Sequence, residues 1–195
     1  FIPEELQTLD FDLSSQYLCN FSIFQSAADT WAIDQILPVI PLTGHLEKPT
    51  VNCSLVDITC DSDGKLDKFT VGREISNVIP MHPLKREEDY YLGLFLTGAY
   101  QDVMGDMHNL FGRLNEVHIF SYDDDPDDFY IEEIVRGSSV ENVLSIMQYN
   151  PSSMAKDVKR LIDKEVSAGN IKPREGVKLT DFYENCLSGY TYLKR

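Results

Sequence analysis

Residues 56–67 bring one thiol together with several carboxylates. The stretch has the composition of a strand that runs into a turn, in which Cys60 is followed directly by Asp61 and then by Asp63. A thiol can donate a proton to a carbanion and recover it near neutral pH, and a carboxylate can bind a cationic ligand. If both side chains project from the strand end into one pocket, Asp61 would bind a cationic substrate and Cys60 would act as an acid.

Two other interpretations compete for the same stretch. A calcium loop with Gly64 as its turn glycine would place Thr59 at position one and Thr70 at position twelve, so it lacks the acidic ligands needed at both ends. A plain turn at Asp63 and Gly64 would make Cys60 a small buried hydrophobic residue, and the residues alone favour this version. Proton donation to a carbanion also needs an electron sink, and the sequence contains no Gly-rich phosphate loop, HExxH or GxSxG motif.

Two further stretches could supply binding residues. Residues 98–112 follow a strongly apolar strand and place Tyr100 and His108 in a loop, where ligand-binding side chains concentrate. A buried Tyr and His pair is nevertheless more often a satisfied part of the core. Residues 20–26 and 31–35 together place one acid, Asp34, among aromatic side chains. Because an unpaired buried carboxylate is costly, we expect Asp34 to be exposed, paired within the chain or available to a cation.

The elements that position these residues change in type near residue 138. The part before it predicts short strands that are rich in β-branched and aromatic residues and bounded by Gly, Pro or Asp. The predicted strands are residues 51–59, 68–72, 91–96, 117–122 and 129–135. Residues 91–96 are apolar on both faces and predict a central strand. The acidic residues 123–128 predict a solvated hairpin loop.

The last third of the chain has the spacing of helices. Asn150 as N-cap, Pro151 at the first helical position and Gly169 as terminator predict an amphipathic helix. Residues 139–147 and 180–187 predict shorter helices on either side of it.

Together these elements predict an α+β fold with two parts. Residues 1–138 would form a β-sandwich or barrel, and residues 139–195 a small helical cluster. A chain of 195 residues with 43% hydrophobic residues is long enough for one core or for one domain with an appendage.

The composition excludes several classes of partner. The 17 basic and 32 acidic residues give a formal charge of −15, which repels phosphate backbones and anionic lipids, so neither nucleic acid nor a membrane is an expected partner. Four cysteines without paired spacing predict neither a disulfide framework nor a CxxC metal site, and they indicate a reducing, cytoplasmic compartment. The start of the chain, without an initiator Met, indicates a piece of a longer soluble protein.

Six stretches, spread in order over nearly the whole chain, resemble biosynthetic arginine decarboxylase of the bacterial and plant type. This family belongs to the alanine-racemase-like class of pyridoxal-phosphate decarboxylases. The stretches are NFSIFQS at residues 20–26, WAIDQ at 31–35, DITCDSDG at 57–64, GAYQ at 98–101, MHNLFG at 107–112 and GYTYL at 189–193.

The resemblance implies a longer parent protein with a shared active site. An upstream (β/α)8 barrel would hold pyridoxal phosphate through a Schiff-base lysine, and this segment would complete a C-terminal β-domain. The cofactor lysine has no counterpart here, so the segment alone is expected to be inactive. The active site would form between subunits of a homodimer or tetramer, with Cys60 and Asp61 inserted into the partner's barrel.

The resemblance also implies roles for single residues in substrate chemistry. Cys60 would return a proton to the carbon that has lost carbon dioxide, and Asp61 would hold the charged distal end of the substrate. Asp34 is a candidate for a second acidic contact, and Asp63 is an equally good rival.

Cofactor contacts implied by the resemblance fall on the loop after the apolar strand. Tyr100 would contact the cofactor phosphate, and His108 would line the cofactor pocket. Magnesium is implied as an assisting ion, although the sequence shows no ligand set for it.

The implied reaction converts L-arginine to agmatine and carbon dioxide, in the biosynthesis of putrescine and spermidine. Two alternatives stay open. Within the same class, the protein could be a decarboxylase of another basic amino acid or of a carboxylated polyamine. From a different class, it could be a non-catalytic homologue that regulates a partner through mixed dimers. Retention of Cys60 and Asp61 argues against the non-catalytic version. A free-standing interaction domain is a third option, favoured if no upstream barrel exists.

Overall fold

The computed structural model describes residues 9, 13–98, 100–122, 125 and 127–194. The chain divides into two compact units, residues 1–109 and residues 110–195. In chain order the elements are β1 (Ser15–Leu18), α1 (Ile23–Ser26), α2 (Ala28–Ala32), β2 (Val39–Pro41), β3 (Val51–Val56), β4 (Lys65–Leu66), β5 (Phe69–Val71), β6 (Glu74–Ser76), β7 (Ile79–Met81), β8 (Leu92–Leu94), α3 (Gln101–Met104), β9 (Glu116–Ser121), β10 (Phe129–Val135), α4 (Val140–Ile146), α5 (Pro151–Ser167) and α6 (Pro173–Leu187).

The first unit is built around β3. This strand pairs parallel with β1 and antiparallel with β4 and β7, which makes a four-stranded mixed sheet. Cys53, Ser54 and Leu55 are consecutive and all buried, as expected for a strand covered on both faces. Ile23 of α1 and Phe69 of β5 are buried in the same core. Each such fully buried apolar side chain contributes about 1.5–3 kcal/mol.

The central strand is therefore not the one expected from the apolar run at residues 91–96. Residues 92–94 form β8, which pairs with β2 in a two-stranded sheet, and its side chains are only partly buried. The expectation that residues 91–96 form a central strand was wrong. Apolar residues on both faces of a strand indicate that the strand is buried, but they do not determine how many other strands pair with it.

The second unit consists of a hairpin and three helices. β9 and β10 pair antiparallel, with a shift in register between Ile131 and Glu133. Asn150 accepts the backbone N–H of Ser153, Pro151 opens α5, and Gly169 follows its end with a φ of 77°, so the predicted caps are confirmed.

The last helix is longer than expected from residues 180–187. α6 begins at Pro173 because proline fits the first helical position and the Glu175 carboxylate accepts the Lys172 N–H at 3.1 Å. The predicted loop at residues 123–128 lies partly outside the described residues. The Tyr122 N–H donates to the Asp128 carbonyl at 2.8 Å, and this hydrogen bond joins the two strands at the base of the loop.

The predicted α+β class with a C-terminal helical cluster is confirmed. The β part consists, over the described residues, of the four-stranded sheet and three two-stranded sheets. A domain boundary after residue 138 stays a prediction. No helix within the described ranges combines the length and the apolar composition needed to cross a bilayer.

Candidate functional site

A buried carboxylate anchors the turn that follows β3. Asp57 is 3% exposed and accepts three hydrogen bonds: Oδ2 from the Ile23 N–H at 2.9 Å, and Oδ1 from the Thr59 N–H at 2.9 Å and the Thr59 hydroxyl at 2.7 Å. These donors compensate the cost of burying a charge and tie the turn to the start of α1. The position of the residues after Asp57 is thereby fixed relative to the core.

Gly64 closes the same turn and has no room for a side chain. The Asp57 N–H donates to the Gly64 carbonyl at 2.8 Å, and the Gly64 N–H donates to the Asp61 carbonyl at 3.1 Å. A Cβ at Gly64 would collide with Asp57 Oδ1 and lie 2.7 Å from the Thr59 hydroxyl. The glycine is thus required by close packing against the anchoring carboxylate.

Cys60 is exposed at the outer side of this turn. The plain-turn interpretation, which expected a buried hydrophobic cysteine, is therefore wrong for this residue. Cys53 is buried and Cys19 is half-buried, and loss of solvent raises the pKa of Cys53 to about 12 and that of Cys19 to about 11. Cys60 is the thiol of the first unit that solvent reaches freely, as a proton donor to a substrate must be.

Asp61 lies next to the thiol and is held on two sides. Its Oδ1 accepts the Asp63 N–H at 3.0 Å, and its Oδ2 lies 3.6 Å from His108 Nε2. The His108 ring packs on Phe24, with ring centroids 4.1 Å apart. The structure therefore brings Cys60, Asp61 and His108 together, and His108 contacts the carboxylate predicted to bind substrate.

A cavity of about 330 Å³ opens in the first unit, among residues of α1, α2, β4 and the adjoining turns. It contains both candidates for the second acidic contact, since Asp34 and Asp63 line it together with the aromatic rings of Phe24 and Trp31. Phe24 also packs against the His108 ring, and His108 contacts Asp61. The Phe24 side chain therefore connects the cavity to the contact between His108 and Asp61.

The two candidate acids in the cavity differ in their charge pairing. Asp34 Oδ1 accepts from Lys68 Nζ at 2.6 Å, and this contact raises the pKa of Lys68 above its ordinary value. Asp34 also has a φ of 57°, in the left-handed region. Asp63 has no ion-pair partner among the residues that the structure describes. Asp63 is thus the acid of the two that is free to take an external cation.

Tyr100 lies in a second exposed turn. It precedes α3, is 73% exposed, and its hydroxyl has no hydrogen-bond partner within the described part of the chain. The next residue holds this turn in place, because Gln101 Oε1 accepts the Ala28 N–H at 2.9 Å and Gln101 Nε2 donates to the Gln25 carbonyl at 2.8 Å.

Three positioning residues escaped the sequence reasoning: Asp57, Gln101 and Asn109. Asn109 Oδ1 accepts the Cys60 N–H at 3.3 Å. A signal existed for Asp57, since an Asp two residues before a Thr commonly accepts the backbone N–H of that residue. For Gln101 and Asn109 the partners lie 73 and 49 residues away in sequence, and no local pattern reveals such contacts.

The helical end of the chain matches a described family. Residues 140–193 match the arginine decarboxylase C-terminal helical extension. Biosynthetic arginine decarboxylase of Gloeobacter violaceus is 45% identical over 195 residues, which cover 99% of this chain and 30% of that protein. The protein of the same name from Phocaeicola vulgatus is 45% identical over 192 residues, again 30% of its length.

Nearly the whole chain is thus similar to part of the biosynthetic arginine decarboxylases. A solved structure agrees, since the crystal structure of the biosynthetic arginine decarboxylase SpeA from Campylobacter jejuni superimposes with a TM-score of 0.77 at 30% identity. That match covers 92% of this chain and 29% of the other. The resemblance read from the six sequence stretches is confirmed. The chain spans about 30% of the length of the curated arginine decarboxylases it matches.

Over the described ranges, no group of three or more His, Cys, Asp or Glu side chains could hold a metal ion. The magnesium implied by the resemblance thus has no ligand set in this part of the chain.

Proposed function

We propose that this chain is the C-terminal part of a pyridoxal-phosphate-dependent arginine decarboxylase, which converts L-arginine to agmatine and carbon dioxide in polyamine biosynthesis. The similarity to biosynthetic arginine decarboxylases over 99% of the chain supports this proposal. Because the chain spans 30% of such a protein, the (β/α)8 barrel and its cofactor-binding lysine belong to the rest of the polypeptide. The segment by itself is inactive.

The observation that carries the proposal is the exposed pair of Cys60 and Asp61 on a turn anchored by buried Asp57. Folding alone does not require a thiol and two carboxylates to be displayed on such a rigid turn. A rigid display of polar groups toward solvent is what a site completed by a second surface needs. We place the barrel of a partner subunit opposite this turn, in a homodimer or tetramer in the cytoplasm.

The carboxylates suit the guanidinium group of arginine. A guanidinium is charged at all working pH values and has five N–H donors in one plane, so a carboxylate can accept two of them side by side. Asp61 is the first contact in this proposal. Asp63 is the second, since Asp34 is already paired with Lys68.

Tyr100 is the residue of this chain that would hold the cofactor, through its phosphate. An exposed phenol without a partner in the described part of the chain fits a phosphate oxygen as acceptor. Pyridoxal phosphate, when bound, delocalises the negative charge left on the substrate carbon. Cys60 Sγ holds the proton that this carbon receives, which is a general-acid role. The contact of His108 is with Asp61, so its role in this proposal is to hold that carboxylate.

The test is a decarboxylation assay on the full-length polypeptide that carries this chain. We expect release of carbon dioxide from arginine in clear preference to ornithine, lysine and diaminopimelate. Cys60→Ala should reduce or misdirect product formation while the absorbance of the bound cofactor persists. Equal turnover of another substrate would reassign the substrate, and no turnover of any of the four would favour the non-catalytic homologue.

A further inference from the structure

We infer that His108 and Asn109 form a clamp that positions the turn carrying Cys60 and Asp61. The inference rests on the proposed function, because it gives a task to two residues beside the thiol and the carboxylate used there. Asn109 would act on Cys60, and His108 on Asp61. Both are positioning residues, since neither is assigned a contact with substrate or cofactor.

Asn109 contacts the backbone of the proton donor itself. Its Oδ1 accepts the Cys60 N–H at 3.3 Å, and its own backbone has a φ of 50°. This left-handed conformation is uncommon outside glycine, although Asn adopts it more readily than most residues. Such a conformation persists where the surrounding contacts determine it. In this conformation the Asn109 side chain points toward Cys60.

His108 contacts the carboxylate on the oxygen that the turn leaves free. Asp61 Oδ1 is occupied by the Asp63 N–H, and Oδ2 faces His108 Nε2 at 3.6 Å. The ring cannot swing away easily, because it packs on Phe24 at a centroid distance of 4.1 Å and an interplanar angle of 34°. These two contacts restrict the plane of the Asp61 carboxylate, and side-by-side binding of a guanidinium depends on that plane.

The two arms of the clamp predict different kinetic effects. Displacing a proton donor lowers kcat, whereas releasing a substrate-binding carboxylate raises KM. A residue that serves only stability would lower the melting temperature without separating the two parameters.

The Asn109 arm is tested with two substitutions in the full-length polypeptide. Asn109→Gly keeps the left-handed backbone and removes the acceptor, and we expect kcat to fall about tenfold with KM for arginine nearly unchanged. Asn109→Asp restores an acceptor oxygen at the same place and should recover most of kcat. Should Asn109→Gly fail to fold, the His108 arm decides the inference.

The His108 arm is tested with substitutions that separate the effect of the ring from the effect of the ring nitrogen. His108→Phe keeps a ring on Phe24 and removes Nε2, and we expect KM for arginine to rise about three- to fivefold with kcat retained, in line with the loss of one partly exposed polar contact. His108→Gln restores an N–H donor and should recover part of that loss. His118→Phe is the matched control, since His118 faces Glu133 at 3.8 Å in the other unit, and it should leave both parameters unchanged.

The outcome separates the clamp from the proposed function. Unchanged kcat in Asn109→Gly and unchanged KM in His108→Phe, with Cys60→Ala still impaired and Asp61→Ala still raising KM, would overturn the clamp alone. Full activity in Cys60→Ala and Asp61→Ala would overturn the proposed function and the clamp with it.

Discussion

At the scale of single residues, the site is defined by which polar groups already have partners. Cys60 is exposed while Cys53 is buried and Cys19 is half-buried. Asp34 is paired with Lys68, while Asp63 has no ion-pair partner in the described part of the chain. The sequence proposed Cys60, Asp61, Asp34 and Asp63 as site residues, and their roles stay predictions. It could not rank Asp34 against Asp63, because the ranking depends on an ion pair formed across 34 residues.

The three candidate acids should therefore differ in their effect on arginine binding. Asp61→Ala should weaken binding by about 2–5 kcal/mol in the assembled enzyme, since it strands a desolvated cation. Asp63→Asn should raise KM for arginine more than Asp34→Asn does. Steady-state kinetics of the three variants provide the measurement, and a larger effect at Asp34 than at Asp63 would reverse the assignment.

The three thiols of the first unit should differ in reactivity because they differ in exposure to solvent. A thiol reacts as its thiolate, and the pKa values of Cys53 and Cys19 are raised by burial to about 12 and about 11. Below those values both stay protonated, so brief alkylation at about pH 8 should modify Cys60 and leave these two intact. Peptide mass spectrometry reads out the result, with exposed Cys186 as the internal reference. If Cys53 were modified as fast as Cys60, Cys53 would not be buried as described.

At the scale of elements, the caps of α5 were predictable because they are local. Asn150, Pro151 and Gly169 each act within a few residues of the helix end. The partners of β3 were not predictable, since its neighbours β1, β4 and β7 are brought to it by the whole chain. The turn after β3 lies between these cases: its Asp-Gly signal is local, but the anchoring contact from Ile23 to Asp57 is not.

That anchoring contact gives a stability prediction for the turn. Asp57→Ala leaves two backbone N–H groups and one hydroxyl without their acceptor, and should lower the free energy of unfolding by about 2–4 kcal/mol. Urea denaturation of the full-length polypeptide measures the change. Asp163→Ala is the control, because that side chain is 62% exposed and, among the described residues, forms its ion pair with Lys159 on the helix surface, so its loss should cost under about 1 kcal/mol. Similar losses in both variants would contradict the anchoring role.

At the scale of the whole molecule, the proposed function makes this chain one side of a site. The α+β class and the helical extension followed from patterning, and the likeness to arginine decarboxylases followed from six ordered stretches. The other side of the site could not be predicted from these residues by physical argument, because its lysine and barrel lie in the remaining length of such proteins. The account therefore depends on Cys60 and Asp61 serving a cofactor held by a different subunit.

Subunit mixing tests that dependence most directly. One full-length variant carries Cys60→Ala and is impaired alone, and the other lacks the cofactor-binding lysine of the barrel and is inactive alone. If Cys60 acts across the subunit boundary, mixed dimers contain one complete site, and arginine decarboxylation should partly return after the subunits are exchanged. Mixed dimers that form but show no more activity than either parent would contradict the account.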